Sequence, residues 1–275
     1  MRFDQTAIFS DLDGTLFDHN GKVSRENREA IARYMAQGGL FAIATGRCPA
    51  NMAPYLSDVA YNAPSIVLNG GAIYERQSDR FLYKRFADRE ALAAVLRYAL
   101  AAFPSVNLQV YTERDILYVS PKETLNLPFW ELHQSSLFVT VDDALQTDWF
   151  KALVFGKPEE TTAVDQWIMQ NGLGGRFDRV FASTDIVPGS MYLELLPKGG
   201  NKGTALLECR KLDIYAGRKL IAVGDYNNDL ELLQEADIAA APCNGHPDIL
   251  KIADWILPTN NESAIAALID RITEC

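Results

Sequence analysis

Two aspartates, in the segment Asp11-Leu12-Asp13-Gly14-Thr15, are the first side chains whose spacing favours chemistry. They follow Ala7-Ile8-Phe9-Ser10, an apolar run typical of a buried strand that ends in a polar turn. Gly14 allows the turn to adopt backbone angles that other residues disfavour. Two neighbouring carboxylates need a cation or a shared proton. The alternative is a turn in which the aspartates only cap neighbouring amides.

A second acidic segment, Gly224-Asp225-Tyr226-Asn227-Asn228-Asp229, follows the apolar run Leu220-Ile221-Ala222-Val223. If both runs are parallel strands of one sheet, their carboxyl ends meet at the same edge. Carboxylates gathered there would repel and raise one another's pKa, and a hard divalent cation with oxygen ligands resolves that repulsion. We therefore expect Asp11, Asp13 and Asp225 to bind Mg²⁺.

Thr45-Gly46-Arg47 follows the apolar run at residues 40–44 and precedes a predicted helix. The Thr45 hydroxyl and backbone N–H groups such as that of Gly46 suit an anion at a helix N-terminus, which makes the segment a candidate phosphate site. An N-capping threonine followed by a surface arginine is the alternative.

A glycine-rich segment with two lysines, Pro197-Lys198-Gly199-Gly200-Asn201-Lys202-Gly203, precedes a helical pattern at residues 204–210. Lys202 abuts the start of that helix. We expect Lys202, rather than Lys198, to neutralise a phosphate or to keep Asp11 ionised. Solvated surface lysines are the alternative.

Strands and helices that alternate along the chain must position these residues. Ser24 is a predicted N-cap for a helix that ends at Gly38-Gly39, between the strands at residues 7–10 and 40–44. A strand, a helix and a strand in this order form a right-handed unit whose two strands are parallel. Further apolar runs lie at residues 65–68, 220–223 and 238–240. The sequence therefore predicts an α/β fold with a doubly wound, Rossmann-like parallel sheet.

From residue 84 onward the pattern changes, because helices and hairpin strands follow in the order α, β, β, β, α, β, β. Hairpins do not extend a doubly wound sheet. We predict an inserted α+β domain at 84–190, between the two parts of the main domain at 1–83 and 191–275. Phe129, Trp130 and His133 of the insert are assigned no function, because such residues are more often part of a core or of the surface.

The chain has 275 residues, 26 Lys and Arg against 36 Asp and Glu, and a formal net charge of -10. This composition excludes disordered, collagen-like and disulfide-rich proteins. Nucleic acids and anionic membranes would repel so negative a chain, and neither is expected as a partner. No apolar run approaches the ~20 residues that span a bilayer, and no secretory signal is recognised, so we expect a cytoplasmic protein. The scattered cysteines suggest neither a zinc site nor a disulfide.

Taken together, the motifs DLDGT at 11–15, TGR at 45–47, Lys202 in its glycine-rich loop and GDYNND at 224–229 resemble the four motifs of the haloacid dehalogenase superfamily, in order. The insert resembles the type IIB cap of the Cof-like sugar-phosphate phosphatases, and Asn69-Gly70-Gly71-Ala72 resembles a further signature of that group. The resemblance covers nearly the whole chain. It departs from the group at residues 244–247 and 260–264, outside the four motifs.

This resemblance implies that Asp11 is a nucleophile that forms an aspartyl-phosphate. It also implies that Asp13 protonates the leaving oxygen and then activates the hydrolytic water. Covalent catalysis by a carboxylate divides one difficult displacement into two, and a single acid/base group can serve both. The resemblance implies further roles: phosphoryl binding by Thr45, Gly46, Lys202 and Asn228, Mg²⁺ binding by Asp11, the Asp13 backbone carbonyl and Asp225, and support by Asp229.

The predicted function is Mg²⁺-dependent hydrolysis of small phosphorylated metabolites, with sugar phosphates as the expected class. Two alternatives are a phosphosugar mutase on the same scaffold and a non-catalytic metabolite-binding protein. Asp13 argues against the second alternative and against a dehalogenase, because neither needs a second carboxylate beside the first.

Overall fold

The computed structural model describes residues 1–57, 59–121, 137–183 and 187–274. Phe129, Trp130, His133 and Cys275 lie outside these residues. The chain divides into two compact units, one of Met1–Lys84 with Asn201–Cys275 and one of Arg85–Gly200.

The inserted unit ends at Gly200, ten residues after the predicted boundary at 190. The strand at Met191–Pro197 pairs with the strands at Lys151–Gly156 and Phe177–Ser183, both of the second unit. Residues 191–200 therefore belong to that unit and not to the first. An apolar strand candidate fits either sheet from its sequence alone, and only the pairing decides between them.

Helices and strands alternate along the described residues, as the apolar runs predict. The strands are β1 (Thr6–Ser10), β2 (Leu40–Ile43), β3 (Ser65–Val67), β4 (Ala72–Glu75), β5 (Arg80–Lys84), β6 (Asn107–Tyr111), β7 (Ile116–Tyr118), β8 (Leu137–Phe138), β9 (Lys151–Gly156), β10 (Phe177–Ser183), β11 (Met191–Pro197), β12 (Lys219–Val223), β13 (Ile238–Pro242) and β14 (Trp255–Leu257). The α-helices are α1 (Arg25–Ala36), α2 (Pro49–Met52), α3 (Arg89–Ala102), α4 (Val141–Ala144), α5 (Pro158–Gln170), α6 (Lys202–Cys209), α7 (Leu230–Glu235), α8 (Pro247–Ile252) and α9 (Ala264–Glu274).

A parallel sheet forms the centre of the first unit, in the order β14-β13-β12-β1-β2. β3 lies beside β2, joined by a parallel bridge between Ala44 and Ile66, and then pairs antiparallel with β4. The chain thus places β2 and β3 on one side of β1 and β12 to β14 on the other. This order confirms the predicted α/β fold with a doubly wound parallel sheet.

The strand register brings the carboxyl ends of three strands level. Ser10 at the end of β1 lies opposite Ile43 of β2 and Val223 of β12. The strand order reverses between β1 and β12, and open α/β sheets bind their ligands beyond the strand ends at such a point. Three polar residues follow the level strand ends: Asp11, Thr45 and Asp225.

Buried helix faces hold this sheet in place. The Ser24 hydroxyl accepts a hydrogen bond from the Asn27 N–H at 3.1 Å, which caps the start of α1 as predicted. α1 contacts α9, and α6 contacts α7. Leu206 of α6 and Leu232 of α7 share a core with Phe9 of β1. Each such fully buried side chain stabilises the fold by roughly 1.5–3 kcal/mol.

The second unit is built on a six-stranded sheet of order β10-β11-β9-β6-β7-β8. Its strands pair antiparallel except for β7 and β8. Residues of α3, α4 and α5 form one hydrophobic core with β6, β9 and β11. The helices and hairpin strands predicted for this stretch are therefore present. Among the described residues, no helix combines the length and apolar character needed to cross a membrane.

Candidate active site

The ends of β1, β2 and β12 carry backbone hydrogen bonds that extend past the strands. The Asp11 N–H donates to the Val223 carbonyl at 2.9 Å, and the Ala44 N–H donates to the Ser10 carbonyl at 2.8 Å. Asp11 is buried, as is Thr45, while Asp225 is partly buried. The convergence predicted for Asp11 and Asp225 is therefore found at this edge.

Lys202 lies between two carboxylates in the interior of the first unit. Its Nζ donates to Asp11 Oδ1 at 2.7 Å and to Asp229 Oδ1 at 2.6 Å. Lys202 is the first residue of α6, which Asn201 caps by accepting the Thr204 N–H at 2.8 Å. The lysine is only 1% exposed. The other lysine of the loop, Lys198, pairs with Asp178 instead, so Lys202 is the lysine of this loop that contacts Asp11.

Three carboxylates form a group that suits a metal ion. One oxygen each from Asp11, Asp225 and Asp229 lies within 4.8 Å of the other two. A set of hard carboxylate oxygens fits Mg²⁺ or another hard divalent cation. The third carboxylate of the group is that of Asp229, while the carboxylate of Asp13 pairs with Arg47. Metal binding by Asp13 through its backbone carbonyl stays a prediction.

The pKa values of this group reflect its excess of negative charge. Burial raises the pKa of Asp11 well above its usual range; the Lys202 charge lowers it, while Asp229 and Asp225 raise it further. Burial also raises the pKa of Asp225 to about 6, against a lowering hydrogen bond from Thr15. Burial alone would lower the pKa of Lys202, but the charges of Asp11 and Asp229 raise it above its usual value, and the lysine stays an ammonium. A bound cation would relieve the repulsion.

Position 14 requires a glycine because the turn after β1 and the loop after β12 approach each other closely there. Its φ of +79° lies in the left-handed region, and a Cβ there would stand 2.4 Å from Asp225 Oδ2. The next residue, Thr15, donates its hydroxyl to Asp225 Oδ1 at 2.8 Å. The turn after β1 thus directly fixes the carboxylate that follows β12.

Asp229 ties the loop after β12 to the lysine. Its Oδ2 accepts the N–H groups of Asp225 at 3.1 Å and Tyr226 at 3.2 Å, while its Oδ1 binds Lys202. A Cβ on Gly224 would stand 2.4 Å from the Asp229 Cγ. Asp229 therefore positions the loop after β12 and also belongs to the carboxylate group.

Asn69 lies beside three of the residues predicted to bind phosphate, which are Thr45, Gly46 and Asn228. The Asn69 N–H donates to the Thr45 carbonyl at 3.0 Å, and Asn228 Nδ2 donates to Asn69 Oδ1 at 3.2 Å. A Cβ on Gly46 would stand 2.9 Å from the Asn69 side chain. Asn69 has a φ of 53°, which the short polar side chain of asparagine tolerates. The Asn-Gly-Gly sequence after β3 was the signal for this residue, but it did not indicate which residues it contacts.

Asp13 makes a two-pronged ion pair with Arg47. Arg47 Nε donates to Asp13 Oδ2 at 2.9 Å, and Nη2 donates to Oδ1 at 2.6 Å. The guanidinium carbon lies 4.6 Å from the ring centroid of Tyr55 and 5.7 Å from that of Phe17. Burial would lower the pKa of Arg47, but Asp13 raises it above its usual value. The sequence did not predict a role for Arg47, because an arginine that forms such a fork and a solvated surface arginine look the same in a sequence.

Comparisons with known proteins extend over almost the whole chain. The sequence profile of a family described as haloacid dehalogenase-like hydrolase matches residues 8–269. The 5-amino-6-(5-phospho-D-ribitylamino)uracil phosphatase YwtE of Bacillus subtilis is 26% identical, over 97% of this chain and 97% of its own. A haloacid dehalogenase-like hydrolase of Bacteroides thetaiotaomicron has a similar structure, with a TM-score of 0.80, 24% identity and coverage of 97% and 99%. The HAD subclass IIB sugar phosphatase BT4131 gives a TM-score of 0.75, 21% identity and coverage of 98% and 100%.

Proposed function

This chain belongs to the haloacid dehalogenase-like hydrolase family, as a Cof-like phosphatase, and from that premise we propose that it hydrolyses small phosphorylated metabolites with Mg²⁺ through an aspartyl-phosphate on Asp11. One observation carries the proposal. Lys202 Nζ lies 2.7 Å from Asp11 Oδ1 and 2.6 Å from Asp229 Oδ1, and oxygens of Asp11, Asp225 and Asp229 lie within 4.8 Å of one another. The proposed nucleophile, its cation and the proposed metal ligands therefore share one strand edge.

Sugar phosphates are the substrate class that we place first. The Bacillus subtilis relative is named for a phosphorylated ribitylaminouracil, and one structural relative is named a sugar phosphatase. Both names describe phosphatases of small molecules. We also propose that the second unit, Arg85–Gly200, is the type IIB cap, which selects the leaving group.

The first half of the reaction uses both aspartates of the turn. Lys202 holds Oδ1 of Asp11, so the other carboxylate oxygen is directed at the phosphorus atom. As this oxygen bonds to phosphorus, the bond between phosphorus and the leaving oxygen breaks, and Asp13 gives that oxygen a proton. The products are an alcohol and an acyl phosphate on Asp11.

The second half restores the enzyme. A water molecule attacks the phosphorus of the acyl phosphate and gives a proton to Asp13, and the bond to the Asp11 oxygen breaks. Inorganic phosphate leaves, and both carboxyl groups return to their starting states. One residue thus serves as acid in the first half and as base in the second.

Charge neutralisation supplies the rest of the catalysis. Lys202, the Thr45 hydroxyl, the Gly46 N–H and the Asn228 side chain bind the phosphoryl oxygens, whose charge is the main obstacle to attack by a carboxylate. Asp11 and Asp225, with the Asp13 backbone carbonyl and Asp229 in support, would hold Mg²⁺, which supplies positive charge against the same oxygens.

The test measures phosphate release from a panel of sugar phosphates, with and without Mg²⁺, in the native protein and in Asp11→Asn. We expect the native protein to need Mg²⁺, and the variant, which keeps the shape of the side chain, to lose at least ~10³-fold in kcat because it lacks the nucleophile. Asp4→Asn is the matched control, because Asp4 is exposed on the same unit. Retention of most activity in Asp11→Asn would overturn the proposal.

A further inference from the structure

Arg47 binds Asp13 through a fork that the exposed pair of Arg2 with Asp4 also forms, but the guanidinium of Arg47 is in addition held against two aromatic rings. Both carboxylate oxygens of Asp13 accept from Arg47, at 2.9 and 2.6 Å, through the adjacent donors Nε and Nη2. We propose that Arg47 is the positioning residue that aims Asp13 at the leaving oxygen and at the hydrolytic water. The inference rests on the proposed function, because it concerns the proton carrier of that reaction.

Asp13 needs such a partner because little else confines it. Its side chain is 60% exposed, and Gly14 turns the backbone away immediately after it. An exposed aspartate samples several rotamers, and a carboxylate displaced by about 1 Å can lose ~10²-fold in rate. A planar guanidinium fixes both the position and the plane of a carboxylate, which a point charge does not.

The fork leaves Asp13 able to exchange a proton. Each carboxylate oxygen has two lone pairs, and the fork engages one on each oxygen. The remaining lone pairs lie on the sides turned away from the guanidinium. Arg47 thus sets the direction in which Asp13 can give or take a proton.

Arg47 is itself held in place. Its guanidinium carbon lies 4.6 Å from the Tyr55 ring centroid and 5.7 Å from that of Phe17, distances at which a cation and an aromatic ring attract. Phe17 is 1% exposed, and its carbonyl accepts Asn260 Nδ2 at 2.8 Å. The arginine is 27% exposed, against 50% for Arg33 in the surface pair with Asp270. A pair of two exposed side chains contributes little to stability and imposes little order.

A competing explanation is that Arg47 binds the substrate directly. It would then act independently of Asp13, and its loss would raise KM. A positioning residue instead lowers kcat, and its effect disappears once Asp13 can no longer carry a proton. The two explanations therefore differ in a double-mutant cycle.

The experiment compares Arg47→Lys, Asp13→Asn and the double variant, with Arg33→Lys as the matched surface control. Lysine keeps the charge but cannot form the fork. With a hexose phosphate, we expect Arg47→Lys to lower kcat by about 10- to 100-fold and to change KM by less than ~3-fold. In the Asp13→Asn background the same substitution should change kcat by less than ~2-fold. Arg33→Lys should match the native protein.

A second measurement covers the case in which Asp13→Asn is too slow to assay. p-Nitrophenolate leaves without a proton, so the single-turnover burst of p-nitrophenyl phosphate should slow by less than ~3-fold in Arg47→Lys, while hydrolysis of the acyl phosphate slows by ~10-fold or more. An equal slowing of both steps, or an equal loss in both Asp13 backgrounds, would overturn the inference. Either result leaves the proposed function intact, since that is tested at Asp11.

Discussion

Two buried lysines, one in each unit, are surrounded by different amounts of negative charge. Lys151 of the second unit is 3% exposed, and its Nζ donates to Glu194 at 3.1 Å and lies 4.6 Å from the Tyr111 ring centroid. Lys202 of the first unit is 1% exposed and binds Asp11 and Asp229, with Asp225 close to both. Lys151 thus pairs with Glu194, whereas three carboxylates gather at Lys202.

The difference separates a structural pair from a site. The ion pair of Lys151 with Glu194 joins the neighbouring strands β9 and β11 and contributes to the fold of their sheet. Extra buried carboxylates repel one another, which destabilises the folded chain, and such groups cluster where charge is used in chemistry. The excess of negative charge at Lys202 therefore supports the active site that we propose.

The largest effect is expected from Lys202→Met. The substitution leaves two buried carboxylates without their cation, so we expect a loss of about 3 kcal/mol or more in the free energy of unfolding and at least ~10³-fold in kcat. Lys151→Met is the matched variant of the balanced pair. Because it leaves the carboxylate group intact, the rise in melting temperature caused by Mg²⁺ should be unchanged. Calorimetric scans with and without Mg²⁺ check both, and loss of the Mg²⁺ response in Lys151→Met would break the comparison.

Gly14→Ala should have the next largest effect. An alanine at a φ of +79° costs about 1–2 kcal/mol by itself, and its Cβ would force Asp225 out of place. We expect a loss of about 2 kcal/mol in urea unfolding and weaker Mg²⁺ binding by titration calorimetry. Gly21→Ala is the control, since Gly21 has a φ of +70° with no atom within 4 Å of its Cβ. Equal Mg²⁺ affinity in the two variants would contradict the role of Gly14.

Asp225→Asn removes one of the excess negative charges. It is expected to give the smallest change in stability, and a gain where the two variants above give a loss. The folded pKa of Asp225 is raised from 3.8 to about 6, so the folded protein favours the protonated side chain. The stability that this gives is fully present below pH ~4 and is lost as pH rises through about 6. Removal of the charge should stabilise the metal-free protein at pH 7 by about 1 kcal/mol, and have less effect at pH 4. It should also abolish the stabilisation by Mg²⁺. Urea unfolding in EDTA at both pH values checks the sign, and a metal-free variant less stable than the native protein at pH 7 would contradict it.

Much of this site could be predicted because parallel strands align their ends. Asp11, Thr45 and Asp225 each follow an apolar run, and the doubly wound order then brings them to one edge. Lys202 was preferred to Lys198 because it abuts the start of the predicted helix. These inferences depend on topology, which apolar periodicity reveals.

Other features depend on side-chain direction, which periodicity does not reveal. The pairing of the Asp13 side chain with Arg47 was not predicted, because it depends on the rotamer of Asp13. The place of Asp229 in the carboxylate group was not predicted either, and it depends on a short 3₁₀ turn at Asn227–Asp229. The boundary after residue 190 was missed for a related reason, because hydrogen bonding of Met191–Pro197, and not its composition, assigns it to the second unit.

The most direct test of the central claim is to trap the covalent intermediate. The native protein is mixed with a sugar phosphate and Mg²⁺ and quenched in acid within one turnover, and its peptides are mapped by mass spectrometry. We predict one phosphoryl group on the peptide that contains Asp11, lost on treatment with hydroxylamine and absent in Asp11→Asn. Phosphate release without a labelled Asp11 peptide, or with the label on another residue, would contradict the proposed mechanism.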